Sequence, residues 1–306
     1  MKSCVIFGAG RFGSKAYKRL QGKYQILAYL DNDVKKQGTR YNGAEIYPAE
    51  ELPRFVGADV IVAARIPYPI VAQLKELGES NPIYIFDPRS GDENTYLLYR
   101  VEDGDICVPE YMDSRYTLDE SLRCHYSGLP VDVLRLFQTA LGWIQDSFPV
   151  EIKIVELGCG SGQFANMLFD AGYTNYIGYD FSSAAIARAA ELNPIQREHF
   201  RQKDIREIKW SDDVELIVIF EVLEHMADDI AAVEALPDGV SVLFTVPNFD
   251  SFNHVRKFDG LSAIVERYGT YFQFSRYQRI DTKYGKCWFL LEGKKFRRDV
   301  INDEIQ

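Results

Sequence analysis

The sequence predicts an α/β protein of two Rossmann-like domains, the second built on a seven-stranded open sheet. Three observations carry that prediction. Apolar runs of strand length alternate with helical stretches along most of the chain. Two glycine-rich turns, "GAGRFG" and "ELGCGSGQF", each follow such a run and open a helix. The last two runs, "QFSRYQRI" and "KCWFLLEGKK", follow one another with no helix between them, as an antiparallel pair does.

At 306 residues, with 46% hydrophobic and 13% aromatic residues, the chain is long enough for two packed cores. Its net charge of −10 argues against a nucleic acid held through its phosphates. The basic stretch "GKKFRR" at 293–298 reads as a solvated tail. Five cysteines (Cys4, Cys107, Cys124, Cys159, Cys287) are scattered and odd in number, which suits free thiols in a reducing cytoplasm. The first apolar run is too short for a signal peptide, and no stretch approaches the roughly 20 apolar residues of a membrane span. A soluble, cytoplasmic protein is the expectation.

The first domain is expected over 1–90. "SCVIF" is a strand, "SKAYKRLQG" a helix, and "YQILAYLDND" a second strand ending at Asp31. Strands at 58–65 and 82–88 flank a helix at 69–78, giving about four parallel strands. Gly8, Gly10 and Gly13 match the G-x-G-x-x-G pattern in its strand–turn–helix setting. Asp31 follows where an acid accepts a ribose diol. These four residues are candidates for holding NAD, a sugar nucleotide or another nucleotide. The alternative is a domain that only packs, dimerises or positions the other half. The spacing "LDND…KKQG…GAEIYPAEEL" resembles the front domains of bacterial sugar acyltransferases and polysaccharide-synthesis epimerases, which implies a setting in surface-sugar synthesis.

Residues 91–150 form a bridging segment rich in tyrosine (Tyr96, Tyr99, Tyr111, Tyr116, Tyr126), read as packing residues or as the lining of a substrate cleft. It ends in an amphipathic helix over 130–148 whose apolar positions are Val131, Leu134, Leu141 and Ile144.

From 151 to 306 the alternation resumes, with strands at "IKIVELG", "NYIGYD", "HFRQKDI", "VELIVIFEV" and "VSVLFTVPNF" ahead of the closing pair. Glu156, Gly158, Gly160 and Gly162 fall at alternate positions around Cys159, opening the turn more widely than a dinucleotide fingerprint does. This run, followed in order by Asp180, Asp204 and "EVLEH", resembles the class I S-adenosylmethionine-dependent methyltransferases. The resemblance implies S-adenosylmethionine as the cofactor, with the 158–162 backbone on its amino-acid and ribose portions. It further implies Asp180 on the ribose hydroxyls, Phe181 near the adenine, Asp204 on the adenine amino group beside Ile205, and Glu221 beneath the methyl group.

Methyl transfer to a hydroxyl requires alignment, exclusion of water and removal of a proton. His225 in "EVLEH" and His254 in "VPNFDSFNHVRKF" both leave from the functional edge of the sheet and are the candidate bases. His199, ahead of the third strand, is structural. Asn248, Asn253 and Arg256 complete a polar cluster suited to a hydroxylated acceptor. Glu221, Glu224, Asp228 and Asp229 are close enough in sequence for magnesium, yet acids gather at helix starts for dipole reasons alone, so no metal is expected. The reading is methyl transfer to a small polar acceptor, a sugar or nucleotide sugar, at oxygen in preference to nitrogen. The competing readings are a bifunctional protein with NAD on its first domain, and a non-catalytic donor-binding scaffold. A homodimer fits either.

Overall fold

The computed structural model describes residues 1–88, 96–101 and 106–296. The chain divides into two compact units, 1–118 with 251–255, and 119–250 with 256–306.

In the first unit, β1 (Lys2–Phe7), α1 (Arg11–Leu20), β2 (Tyr24–Leu30), β3 (Arg40–Tyr41), β4 (Ala44–Tyr47), β5 (Asp59–Val62), α2 (Tyr68–Glu76), β6 (Ile83–Asp87), β7 (Leu97–Arg100) and α3 (Pro109–Leu118) follow in order. The sheet runs β3-β4-β2-β1-β5-β6-β7. The four expected parallel strands are its centre, with β4 added in parallel and β3 and β7 antiparallel at the edges. β3, β4 and β7 were not legible because they are only two to four residues long, too short to show a period. Alternate side chains of β1 enter opposite faces: Val5 and Phe7 join one core cluster, Cys4 and Ile6 the other. Burial on both faces explains why the strand reads as a continuous apolar run.

The boundary between the units falls within the bridging segment: its residues through Leu118, with β7 and α3, group with the first unit, and those from Asp119 group with the second. Residues 91–95 and 102–105 of that segment lie outside the described residues, as do Arg297 and Arg298 of the basic stretch. Among the tyrosines, Tyr99 and Tyr111 are buried, with ring centroids 5.4 Å apart, and Tyr96 lies 5.4 Å from Phe86. These three serve packing.

The second unit contains α4 (Val131–Ser147), β8 (Ile154–Leu157), α5 (Gln163–Asp170), β9 (Tyr176–Asp180), α6 (Ser183–Leu192), β10 (Phe200–Gln202), β11 (Leu216–Ile219), α7 (Asp229–Glu234), β12 (Ser241–Pro247), α8 (Leu261–Tyr268), β13 (Phe272–Asp281) and β14 (Cys287–Lys295). Its seven strands run β10-β9-β8-β11-β12-β14-β13, parallel except for the last two. All seven are strands expected from the sequence, and the sheet is consistent with a class I methyltransferase fold. Leu216 and Val218 of β11 enter one core cluster and Ile217 and Ile219 the other. On α4 the buried stripe is Leu136, Ala140 and Ile144, with Leu134 and Leu141 packed at its margin; Val131, expected on the apolar face, is exposed. The helix starts at Val131, so that residue stands in its first turn, ahead of the core. Among the described residues no helix is long and apolar enough to cross a membrane.

Candidate active site

In the second sheet the strand order reverses between β8 and β11, and such a switch point opens a crevice at the carboxyl ends of the strands. The predicted donor residues follow those ends: 158–162 after β8, Asp180 closing β9, Asp204 after β10, and Glu221 after β11. Four separate sequence signals are thereby brought to one edge of one sheet.

Gly158, Gly160 and Gly162 all have positive φ. At Gly158, with φ +71°, a Cβ would also lie 2.3 Å from Val222 Cγ2, so this position admits no side chain. The loop is tied to β9 through Asp180: Oδ2 accepts the Gly160 N–H at 3.0 Å and Oδ1 accepts the Ser182 N–H at 2.9 Å. Ser182 in turn caps α6, accepting the Ala185 N–H. Phe181 is half-buried. Below the loop, Glu156 is buried and accepts the hydroxyl of Tyr176. Burial pushes its carboxyl up to about 8; the Tyr176 bond opposes the rise and the nearby Asp180 charge adds to it. Cys159 is buried, its thiol pushed up by the same desolvation.

Asp204 caps the short turn 205–207, accepting the Arg206 N–H, and the Arg206 guanidinium also grips its carboxylate. Burial disfavours the charge on Asp204, but the Arg206 bonds outweigh it and hold the carboxyl below its usual range. Ile205 packs at the margin of the core.

Glu221 carries a positive φ of 55°, one of three non-glycine residues that do so among the described residues. Its N–H donates to Thr245 Oγ1 at 2.9 Å, and the same hydroxyl reaches Glu221 Oε1 at 3.4 Å. Burial pushes the Glu221 carboxyl up to about 7, tempered by the Trp288 indole, Glu224 and Thr245. Glu224 is fully buried, and neither of its carboxylate oxygens finds a hydrogen bond of ordinary geometry. Desolvation and the Glu221 charge raise its carboxyl, and the Arg256 charge opposes them.

Asn253 and His254 lie in the segment grouped with the first unit, whose Phe252 is part of that unit's core. Asn248 closes the β12–β14 ladder: its Oδ1 accepts the Cys287 N–H at 2.7 Å and its Nδ2 donates to the Gly285 carbonyl. Arg256 donates to the carbonyls of Leu223, Met226 and Ala227 and pairs with Asp229 at 3.0 Å. That guanidinium holds the turn bearing His225, which is half-buried at the end of the turn Leu223–His225. Asp229, weighed above as a metal ligand, is fully buried against Arg256, Arg267 and the Tyr268 hydroxyl. Asp228 lies 3.6 Å from Arg206. His199 packs edge-on against Phe169, as a structural residue does.

In the first unit, Gly13 has no room for a side chain, since its Cβ would fall 1.8 Å from the Gly8 carbonyl oxygen; space is open at Gly10. Asp31 accepts the Ala9 N–H at 2.7 Å, the Asp33 N–H at 2.9 Å and Lys36 Nζ at 3.0 Å. Burial opposes its charge, but these bonds prevail and keep its carboxyl below the usual range. Sequence reasoning missed Thr245 and Trp288, whose part is set by register between strands.

Comparison with known proteins follows this division. Residues 1–83 match the family described as C2185-like, N-terminal. No curated protein sequence matches the chain. Among solved structures, the N-methyltransferase NodS of Bradyrhizobium japonicum WM9, in complex with S-adenosyl-L-homocysteine, is 16% identical over 61% of this chain and 97% of that one, with a TM-score of 0.49. Magnesium protoporphyrin IX methyltransferase of Synechocystis PCC 6803, with bound SAM, is 17% identical over 54% and 80%, with a TM-score of 0.45. The methyltransferase domain family matches residues 129–293, more than half of the chain, and the protein belongs to that family.

Proposed function

We propose that the chain transfers a methyl group from S-adenosylmethionine to a small polar acceptor. The observation that carries this reading is the gathering of 158–162, Asp180, Asp204 and Glu221 at the carboxyl ends of four neighbouring strands. The donor fits the residues present: glycines at 158, 160 and 162 leave the backbone of the turn bare of side chains at those positions, and the buried Asp180 carboxylate suits a diol. The 158–162 turn would hold the amino-acid and ribose portions, Asp180 the ribose hydroxyls, and Asp204 and Ile205 the adenine, with Phe181 beside it. When bound, the donor supplies a methyl carbon already activated by positive sulfur. The chain's own task is to align the acceptor, exclude water and take the acceptor's proton. Glu221, with a carboxyl pushed up to about 7, and His225 are the proton acceptors of the second unit. The acceptor class proposed is a sugar or nucleotide sugar methylated at oxygen. The net charge of −10 supports a small metabolite over a polyanion. A screen of nucleotide sugars with labelled donor tests it, and label transferred to a hydroxyl is the expected outcome. Transfer only to amines or to nucleic acid would reverse the acceptor assignment.

A second reading places a nucleotide such as NAD on the first unit, supported by the open space at Gly10. Against it, Asp31 is already engaged by Ala9, Asp33 and Lys36, and Tyr41 donates to the Gly10 carbonyl at 3.2 Å. The geometry favours packing at this loop, and titration with NAD separates the two.

A further inference from the structure

The end of β11 is unusual. Its parallel ladders close at Ile219, opposite Phe244 of β12 and Leu157 of β8. At Glu221 the backbone turns left-handed, and its N–H reaches the side chain of Thr245, one residue beyond the last rung on β12. For a residue bearing a long side chain this conformation costs about 1–3 kcal/mol and persists only when its surroundings hold it there. Thr245 is fully buried, and its hydroxyl can accept and donate at once. It accepts the Glu221 N–H at 2.9 Å and lies 3.4 Å from Glu221 Oε1. Across the sheet, β14 pairs Trp288 with Pro247.

We infer that Thr245 is a positioning residue: one buried hydroxyl clamps both the backbone and the carboxylate of Glu221, fixing that carboxylate at the edge of the sheet where transfer takes place. The inference rests on the proposed methyl transfer for its purpose, but the clamp itself is a property of the folded chain.

Valine has threonine's shape without the hydroxyl, so Thr245→Val removes the clamp and leaves the Glu221 N–H buried without its partner. The test is a pH titration of the ¹³C-labelled glutamate carboxyls in the full chain, with Glu221→Gln identifying the Glu221 resonance. In the parent, Glu221 titrates near 7. The Thr245 bond favours the charged form, so in Thr245→Val the midpoint moves up, whereas Thr245→Ser, which keeps the hydroxyl, restores it. Glu224, its neighbour in the same buried pair, and Arg256, which acts on Glu224, are unchanged in every variant. With an acceptor in hand, kcat falls about tenfold in Thr245→Val while donor affinity stays within about twofold, corresponding to one lost hydrogen bond to a charged group. Should the valine variant fail to fold, Thr245→Ala is titrated instead, and its midpoint must also rise while that of Thr245→Ser does not. A Glu221 titration unmoved by loss of the hydroxyl overturns the clamp. A moved titration in a protein that transfers no methyl group upholds the clamp and removes the enzymatic reading.

Discussion

Asp180 Oδ2 accepts the backbone N–H of Gly160 at 3.0 Å, so the acid that ends β9 is fastened to the middle of the glycine turn that follows β8. One carboxylate thus shapes the loop and, in the proposed function, binds the ribose. Asp180→Ala should weaken donor binding by about 10–100-fold, the scale of a lost charged hydrogen bond, with a folded protein by circular dichroism. Calorimetry measures it, and undiminished affinity would count against this placement.

Gly158 tests the turn. A methyl group there meets Val222 Cγ2 at 2.3 Å in a left-handed backbone. Gly158→Ala should destabilise the chain by about 1–3 kcal/mol in urea unfolding and abolish donor binding.

Raised carboxyls, among them those of Glu156 and Glu221, make stability depend on pH. Glu156 and Glu221 bind protons more tightly folded (about 8 and about 7) than at the ordinary value of 4.5. The folded state therefore holds more protons between those limits, and stability is greatest at the acid end and falls as pH rises from 4.5 through about 8. Glu156→Gln should flatten this profile and raise stability above pH 8, by thermal unfolding across pH. If Glu221 takes the acceptor's proton, kcat/KM rises with pH through about 7.

Asp229 separates a structural acid from a metal ligand. It is fully buried between two arginines and a tyrosine, and removing it strands their charge. Asp229→Ala should cost about 3–5 kcal/mol in urea unfolding, with no dependence of the parent's stability on chelator. A smaller cost that matches the chelator effect would return Asp229 to metal binding.

The second sheet was legible because most of its strands are runs of apolar residues, and because Gly158 to Gly162, Asp180, Asp204 and Glu221 each stand at or just after a strand end. What escaped depends on register or on short elements. Thr245 looks like any β-branched strand residue until β12 is set beside β11. Arg256 was grouped by sequence with Asn253 and His254, yet it turns to the carbonyls of Leu223, Met226 and Ala227, while 251–255 sits with the first unit. In the first unit β3, β4 and β7 were too short to show a period, and Asp31 ends its strand as an acid of a nucleotide site would, with Lys36 already beside it.

The most direct test is calorimetric titration of the full chain with S-adenosylmethionine and with S-adenosylhomocysteine. Saturable heat at one site, lost in Asp180→Ala and kept in Asp31→Ala, is the outcome the account requires. A folded protein that gives no heat with either compound, or whose binding follows Asp31 instead of Asp180, contradicts it.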